Sequence, residues 1–414
     1  MKRLLAMIII ITALKIDAAV YDPGTPGRSM PVWTPGILDI HAINTGQGEC
    51  TLVMMPDGTS MLIDAGECRP TTPNKVAPLP DSITPPYVTY ARYVRHFLAQ
   101  AGRDSLDYIL LSHFHTDHMG EIRPDMPRVP ADSGGYRLTG VSGVGHLLPF
   151  AVLIDRGWPN YDTPIPPVSK AFPNYHKFAL WYAGHGARVE RFNPGSNRQI
   201  TLRHDLSAYP TFEVRNLAAN GVVWTGIDTI CRNYFPAPSS LPKADQPDEN
   251  QCSAAIRISY GPFDYFTGGD LPAITRQPWQ CLEIPVGDVC GPVEAMKSNH
   301  HMNYDAMGVP LLERLRPQVV VVHNCKAQQP DIEVLRRIQS QTRAYAGDVK
   351  DVYSTNMHFA TPYVAYPNTK KMPATQGHIV IRVLPGGKQF YVYSLNDRSS
   401  HYEINSAHGP YYSK

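Results

Sequence analysis

Apolar and polar positions divide the chain of 414 residues into three stretches. Residues 37 to 66, "ILDIHAINTGQGECTLVMMPDGTSMLIDAG", place short apolar runs between Gly-rich and Pro-Asp-Gly bends, which predicts strands joined by tight turns. A Pro-rich stretch from Arg69 to Pro86 follows and carries no regular period. "YVTYARYVRHFLAQAG" then sets Val88, Ala91, Val94, Phe97 and Leu98 on one helical face and closes on Gly102. "LDYILLS" is apolar enough for a buried strand, and its end leads into a polar cluster.

Residues 121 to about 249 are irregular, rich in Pro, Gly and aromatics. They predict a strand at Ala151 to Asp155, a helix around Tyr175 to Ala183, and an insertion or small subdomain over about 125–245. Trp158, Tyr161, Phe172, Tyr175, Phe178, Trp181 and Tyr182 read as core of that segment rather than as a substrate platform.

Order returns at Ala254 to Tyr260, a strand that turns through Gly-Pro into a second, Tyr265 to Thr267, ending on "GGD". "VEAMKSNHH" repeats the device, a strand ending at His300 and His301. "VPLLERLRPQVVVVHN" predicts helix then strand, "DIEVLRRIQSQTRA" a helix, and "HIVIRVLPGGKQFYVYSL" a closing hairpin. Hairpins mixed with strand–helix units predict an α/β sandwich, not a pure doubly wound sheet.

Composition changes this picture little. With 38 Lys and Arg against 36 Asp and Glu, the net charge of +2 gives no strong field and none of the basic excess of a nucleic-acid binder. A locally basic groove stays open, with Lys297, Arg123, Arg128, Arg137 and Arg156 as candidates that suit ordinary surface charges better. Lys2 and Arg3, the apolar run Leu4 to Leu14 and small residues near Ala18 and Ala19 predict a signal peptide over 1–19. The mature chain, 20–414, is then exported, periplasmic or secreted, with no membrane partner; the competing reading is an uncleaved anchor. Seven cysteines without a CxxC pair fit an oxidising compartment. Cys281 with Cys290 is the first expected disulfide and Cys231 with Cys252 the second, while Cys50 reads as a small buried side chain.

The candidate chemistry lies in "ILLSHFHTDHMG". His113 and His115 share a direction in extended chain and could grip one cation, with Asp117 and His118 beside them for a second. A zinc-like ion wants about four donors at roughly 2.0–2.2 Å, so others must come from elsewhere. Asp270, after two glycines, is the candidate bridge, and His300 or His301 completes the second site. A solvated histidine turn is the bland account; the density of donors and their strand-end partners argue against it.

"SHFHTDHMG" resembles the signature loop of the metallo-β-lactamase fold superfamily. "NTGQGECTLVMMPDGTSMLIDAG" resembles one branch, the soluble hydrolase domain of ComEC-type DNA-uptake proteins and their stand-alone relatives. "SAAIRISYGPFDYFTGGDL" and "MKSNHHMNYD" are similar to later motifs of that branch in the same order. The match covers about residues 37–120 and 250–325, and not 125–245. It implies an αββα sandwich with a dinuclear metal site along one edge. It also implies His113 and His115 on the first metal, Asp117 and His118 on the second, Asp270 bridging and one of His300 and His301 closing the site. Asp64 would support the loop from behind.

Two divalent ions, zinc first and manganese or iron as alternatives, would then activate water, with Asp117 orienting it. Phosphodiesters, in nucleic acid or in small molecules, are the implied substrates; other small esters or lactams need fewer basic residues. Three departures from the branch stand out. A further metal-binding histidine is missing between loop and bridge, where His146 is the best of His146, His176, His185 and His204. "HHMN" replaces "HHGS", and Glu49 replaces an aspartate after "GQG". Two other classes fit the same ligands: an iron-dependent oxidoreductase and a non-catalytic, metal-stabilised binding protein. His323 and His378 read as hydrogen-bonded polar residues at strand ends.

Overall fold

A computed structural model describes residues 21–68, 73–340 and 351–414. The expected signal peptide lies outside the described residues. The first sheet contains β1 (Leu38–Ala42), β2 (Thr51–Met54), β3 (Ser60–Ile63), β4 (Leu106–Leu110), β5 (Phe150–Asp155) and β6 (Arg188–Arg191). The second contains β7 (Phe212–Ala219), β8 (Val222–Trp224), β9 (Cys231–Asn233), β10 (Ala255–Tyr260), β11 (Phe263–Thr267), β12 (Ala295–Lys297), β13 (Val319–Val322) and β14 (Asp351–Ser354). The last three strands, β15 (His378–Val383), β16 (Gln389–Leu395) and β17 (Ile404–Tyr412), return to the first sheet. The orders are β17-β16-β15-β1-β2-β3-β4-β5-β6 and β14-β13-β12-β11-β10-β7-β8-β9.

The helices are α1 (Pro86–Gln100), α2 (Thr116–Met119), α3 (Gly140–Leu147), α4 (Phe172–Ala183), α5 (Glu283–Cys290), α6 (Val309–Leu315), α7 (Ile332–Gln339) and α8 (Thr361–Val364). Side-chain alternation shows how they layer. In β13, Val319 and Val321 pack between the sheets with Ile40, Val53, Ile63 and Leu110, whereas Val320 and Val322 point outward to Leu311, Leu315 and Leu335. On the other side Leu52, Leu62, Ile109 and Leu153 meet Tyr90, Val94, Phe97 and Leu98 of α1 and Val141, Val144 and Phe178 of α3 and α4. A strand buried on both faces must be apolar at every position, which is why "VVVV" shows no alternation. The chain is therefore an α/β sandwich, αββα in layer order, as expected.

Residues 125–245, the segment expected as an insertion, supply β5 and β6 to the first sheet and β7 to β9 to the second. Of the expected core aromatics, Tyr161, Tyr175 and Phe178 are buried in the helix layer, and Trp158, Phe172, Trp181 and Tyr182 pack against it partly buried. The disulfide expectation is corrected, since all seven cysteines are free. Cys281 precedes α5 and Cys290 is its last residue, so the helix, about 10 Å from first to last residue, separates them beyond the roughly 7 Å that a bridge spans. Cys252 is buried while Cys231 sits on the edge strand β9. Cys50 is buried as expected. The basic candidates form no groove: Lys297 and Arg156 are buried, Arg123 pairs with Glu121, and Arg128 and Arg137 donate to backbone carbonyls of Gly135, Pro124 and Met126. No helix among the described residues is long and apolar enough to cross a membrane.

The fold places the chemistry through its parallel strands. β3, β4 and β5 run parallel in one sheet, and β11, β12, β13 and β14 in the other. Carboxyl ends of parallel strands gather at one edge. From them emerge Asp64, residues 111–118, Gly268 to Asp270, Ser298 to His301, and His323.

Candidate metal centre

β4 ends at Leu110, and residues 111–115 form an irregular segment with a bend at Phe114 before α2 begins at Thr116 with His115 as its N-cap. The loop is tied from several sides. Glu49 N donates to Asp117 O at 2.8 Å, and Ala65 N to His118 O at 2.9 Å. Gly66 lies so close behind that a Cβ there would sit 1.8 Å from Asp117 O, which is why "LIDAG" ends in glycine. From the far side Glu249 accepts Phe114 N at 2.8 Å and holds the buried Arg156 through two contacts of 2.7 Å. Neither Glu249 nor Arg156 was legible as a brace from sequence.

Two groups of donors result. His113, His115 and Asp270 each offer an atom within 4.8 Å of the others, and so do Glu49, His118, Asp270 and His301. Asp270 is common to both. Its Oδ2 lies 3.2 Å from His118 Nε2, 3.4 Å from His301 Nε2 and 3.8 Å from His113 Nε2.

The hydrogen bonds fix which ring nitrogens carry protons. Asp64 Oδ2 accepts from Ser112 Oγ at 2.7 Å and from His118 Nδ1 at 2.8 Å, while its Oδ1 accepts Ser112 N at 2.7 Å. His118 therefore donates through Nδ1. Ser112 has spent its own proton on Asp64, so it can only accept from His113 Nδ1, 3.1 Å away. His301 donates Nδ1 to His323 O at 3.0 Å. Three Nε2 atoms consequently face Asp270; His118 Nε2 and His301 Nε2 stand 3.3 Å apart, and His113 Nε2 lies 3.2 Å from His115 Nδ1. Three imidazole nitrogens crowded on one carboxylate oxygen are an arrangement that a bound cation resolves, and the backing of each imidazole is what metal-ligating histidines show. The donor set fits one or more divalent ions.

Charge follows geometry. Burial alone would lower the His118 pKa, but Asp270, Asp64 and Glu49 raise it well above the ordinary value. His113 is held down by burial and by His118. Asp117, which burial would raise, is brought to about 2 by His118 and His301. Lys297 is 1% exposed at the end of β12; its Nζ lies 2.9 Å from Glu49 Oε2 and donates to Gly269 O at 2.6 Å. Burial pushes Glu49 up against the pull of Lys297, whereas Glu49 and Asp270 hold the ammonium charged despite its own burial.

Of the residues singled out in the sequence, the structure brings His113, His115, His118, Asp270 and His301 together and sets Asp64 behind them. Asp117 lies at the rim, outside both groups, its Oδ2 3.6 Å from His301 Nε2 and 4.0 Å from Lys326 Nζ. His300 is turned away: Nδ1 meets Asp305 Oδ1 at 2.8 Å, and Nε2 meets Asn250 and Asn303. Positive φ at His300, His301 and Met302 makes the turn that separates the neighbours, a strain of roughly 1–2 kcal/mol per residue. His146 is not near the cluster and bonds Tyr136 from an exposed site on α3. His176 stacks on Phe172, His185 on Trp181, and His204 meets Asp107. His323 and His378 are hydrogen-bonded strand-end residues, as expected.

The sequence matches no protein-family model and no curated protein. Among solved structures, the chain is similar to a metal-dependent hydrolase from Parabacteroides distasonis, at TM-score 0.35 and 10% identity over 77% of this chain and 92% of that one. It is also similar to the short form of human tRNase Z, at TM-score 0.29 and 10% identity over 68% and 91%. A third is a motif mutant of a Cronobacter sakazakii metallo-β-lactamase, at TM-score 0.27 and 12% identity over 66% and 77%. The chemical case rests on the residues of the site itself.

Proposed function

We propose that this chain is a metal-dependent hydrolase acting on phosphodiester bonds, exported behind a leader at residues 1–19 with 20–414 as one catalytic domain. The observation that carries the reading is the convergence of three backed histidines, through Nε2, on one carboxylate oxygen of Asp270. His113, His115 and Asp270 would hold one ion, and His118, His301 and Asp270 another, with zinc the first candidate. When bound, divalent ions acidify water and offset the charge that grows on an attacked ester.

The chain's own residues do the rest. Asp64 keeps the proton of His118 on Nδ1. Asp117 stays ionised and, with its side chain 15% exposed at the rim, is suited to accept a hydrogen bond from the attacking water at Oδ2. Lys326, 38% exposed beside it, favours an anionic substrate by pairing with a non-bridging oxygen; a neutral lactam would leave that ammonium without a role.

Metal content measured with hydrolysis of bis(p-nitrophenyl) phosphate, using Asp117→Ala as control, tests the proposal. Bound metal with turnover that falls in the variant supports it. Metal without phosphodiester turnover overturns the substrate class, and turnover of lactams alone would replace it. A coloured, iron-loaded chain with oxygen or thiol chemistry would favour the oxidoreductase. Metal without any turnover would leave a binding protein.

A further inference from the structure

Glu49 and Lys297 form a buried charge pair inside the cluster, and the donor geometry alone would make Glu49 a fourth ligand beside His118, Asp270 and His301. Finer distances say otherwise. Glu49 Oε2 is 2.9 Å from Lys297 Nζ. The histidine nitrogen it approaches, at 3.8 Å, is Nδ1 of His301, which already donates to His323 O and faces away from Asp270. We infer that Glu49 is not a metal ligand but, with Lys297, a clamp that turns Asp270 so that a single oxygen, Oδ2, serves both histidine groups. The inference rests on reading the cluster as a metal centre.

Three observations carry it. First, Lys297 Nζ donates to Gly269 O at 2.6 Å and lies 3.7 Å from Asp270 Oδ1. The ammonium thus holds both the backbone before Asp270 and the oxygen turned away from the histidines. Second, Asp270 Oδ1 and both carboxylate oxygens of Glu49 are buried without a well-formed hydrogen bond, while the other oxygen of Asp270 faces His113, His118 and His301. The two sides of one carboxylate are thereby given different partners. Third, both members of the clamp are fixed by backbone. Glu49 N donates to Asp117 O and Glu49 O accepts Gly66 N, while Lys297 ends β12 between β11 and β13. A buried lysine needs a close anion, and if Glu49 swung to a metal, Lys297 would keep only Asp270 Oδ1 at 3.7 Å. Glu49 and Lys297 are positioning residues.

The test is a double-mutant cycle of Glu49→Gln and Lys297→Met, read twice: by denaturant unfolding of the metal-free chain and by calorimetric titration with zinc. The clamp predicts that E49Q keeps the zinc stoichiometry of the parent. It predicts that K297M, with Glu49 buried and unpaired, loses stability and binds zinc about tenfold or more weakly. The double variant should recover much of the stability, because Glu49 no longer leaves a buried charge unpaired, but not the zinc affinity, because nothing then holds Gly269 O and Asp270 Oδ1. If K297M does not fold, the double variant carries the test, because Glu49 is then neutral: it should fold and bind zinc about tenfold more weakly than the parent, and parental affinity would overturn the clamp. Loss of a zinc equivalent in E49Q, with additive effects in the metal-free chain, would make Glu49 a ligand and overturn the clamp. A parent that takes up no zinc or other divalent ion would instead overturn the metal reading, while coupling in the metal-free chain still decides the clamp.

Discussion

Replacing Asp64 by asparagine changes almost no volume and should still cripple the centre. Asp64 Oδ1 accepts Ser112 N at 2.7 Å, and a backbone N–H cannot be turned around, so the asparagine oxygen must take that place. Its NH2 then points where Oδ2 was, at Ser112 Oγ and at His118 Nδ1, formerly 2.7 and 2.8 Å away. An NH2 group donates only, so His118 must accept at Nδ1 and carry its proton on Nε2, directed at Asp270 Oδ2 3.2 Å away. That proton occupies the lone pair a metal would use. Ser112, no longer able to donate to residue 64, also loses its reason to hold His113 in the donating form at Nδ1. Loss of a backing carboxylate typically weakens metal binding about 10- to 100-fold, or about 1.4–2.8 kcal/mol. Competition between the chain and a zinc chelator would measure it for parent, Asp64→Asn and Asp64→Ala. The alanine chain leaves His118 free to choose its tautomer, so Asp64→Asn should bind no better than Asp64→Ala despite the closer shape. Near-parental binding by the asparagine chain, with weak binding by alanine, would show that Asp64 acts by filling space and refute the proton argument.

Other predictions address neighbours of the cluster. His301→Ala should lose bound metal while His300→Ala keeps the parental content, as elemental analysis of the two purified chains would show; the reverse result would mean the turn presents the other ring. Burial raises the pKa of Glu283 to about 7, so the folded chain binds a proton that the unfolded chain releases near 4.5. Its stabilising contribution is full below about pH 4.5 and lost as pH rises through about 7, by about 3 kcal/mol. Urea unfolding of the metal-free chain at pH 5 and pH 8 should show that loss, and a smaller one in Glu283→Gln; equal losses would refute the assignment. Because the carboxylates raise the pKa of His118 in the metal-free chain, metal and proton compete for its ring, and zinc affinity should rise with pH. Calorimetry in two buffers would detect the released proton, and a flat profile would count against His118 as a ligand.

What the sequence disclosed was local, and what it hid depends on contacts between distant segments. "SHFHTDHMG" could be read because its donors are neighbours at a strand end, and helix α1 because its apolar face repeats within one element. His300 and His301 could not be told apart, since three left-handed residues, invisible in composition, decide which ring turns inward. Lys297 looked like surface charge because nothing near it in sequence answers its charge; Glu49 and Gly269 arrive from loops before β2 and after β11. The cysteine spacing misled for the opposite reason: closeness in sequence was taken for closeness in space, and a helix lies between. β6, β8 and β9 escaped notice because strands of three or four residues leave no period to read, whereas the eight-residue β7 does alternate in burial and was lost among the irregular segments around it.

The charge balance of the buried edge explains why these residues belong together. Glu49, Asp64, Asp117 and Asp270 bring four carboxylates to one place, against one buried ammonium, Lys297, and a half-exposed one, Lys326. Asp64 is served by three donors and Glu49 by Lys297, but Asp270 Oδ2 has only imidazole nitrogens before it. Isolated buried carboxylates cost far more than a marginally stable fold can lose. An apolar replacement would be the cheaper way to fill the same volume if stability alone were served. The field instead draws positive charge to a single point: it lifts the proton affinity of His118 and depresses that of Asp270. A proton can satisfy one of the three lone pairs there. A divalent ion satisfies several at once, which is the physical reason to read the cluster as a metal centre rather than as a buried polar network.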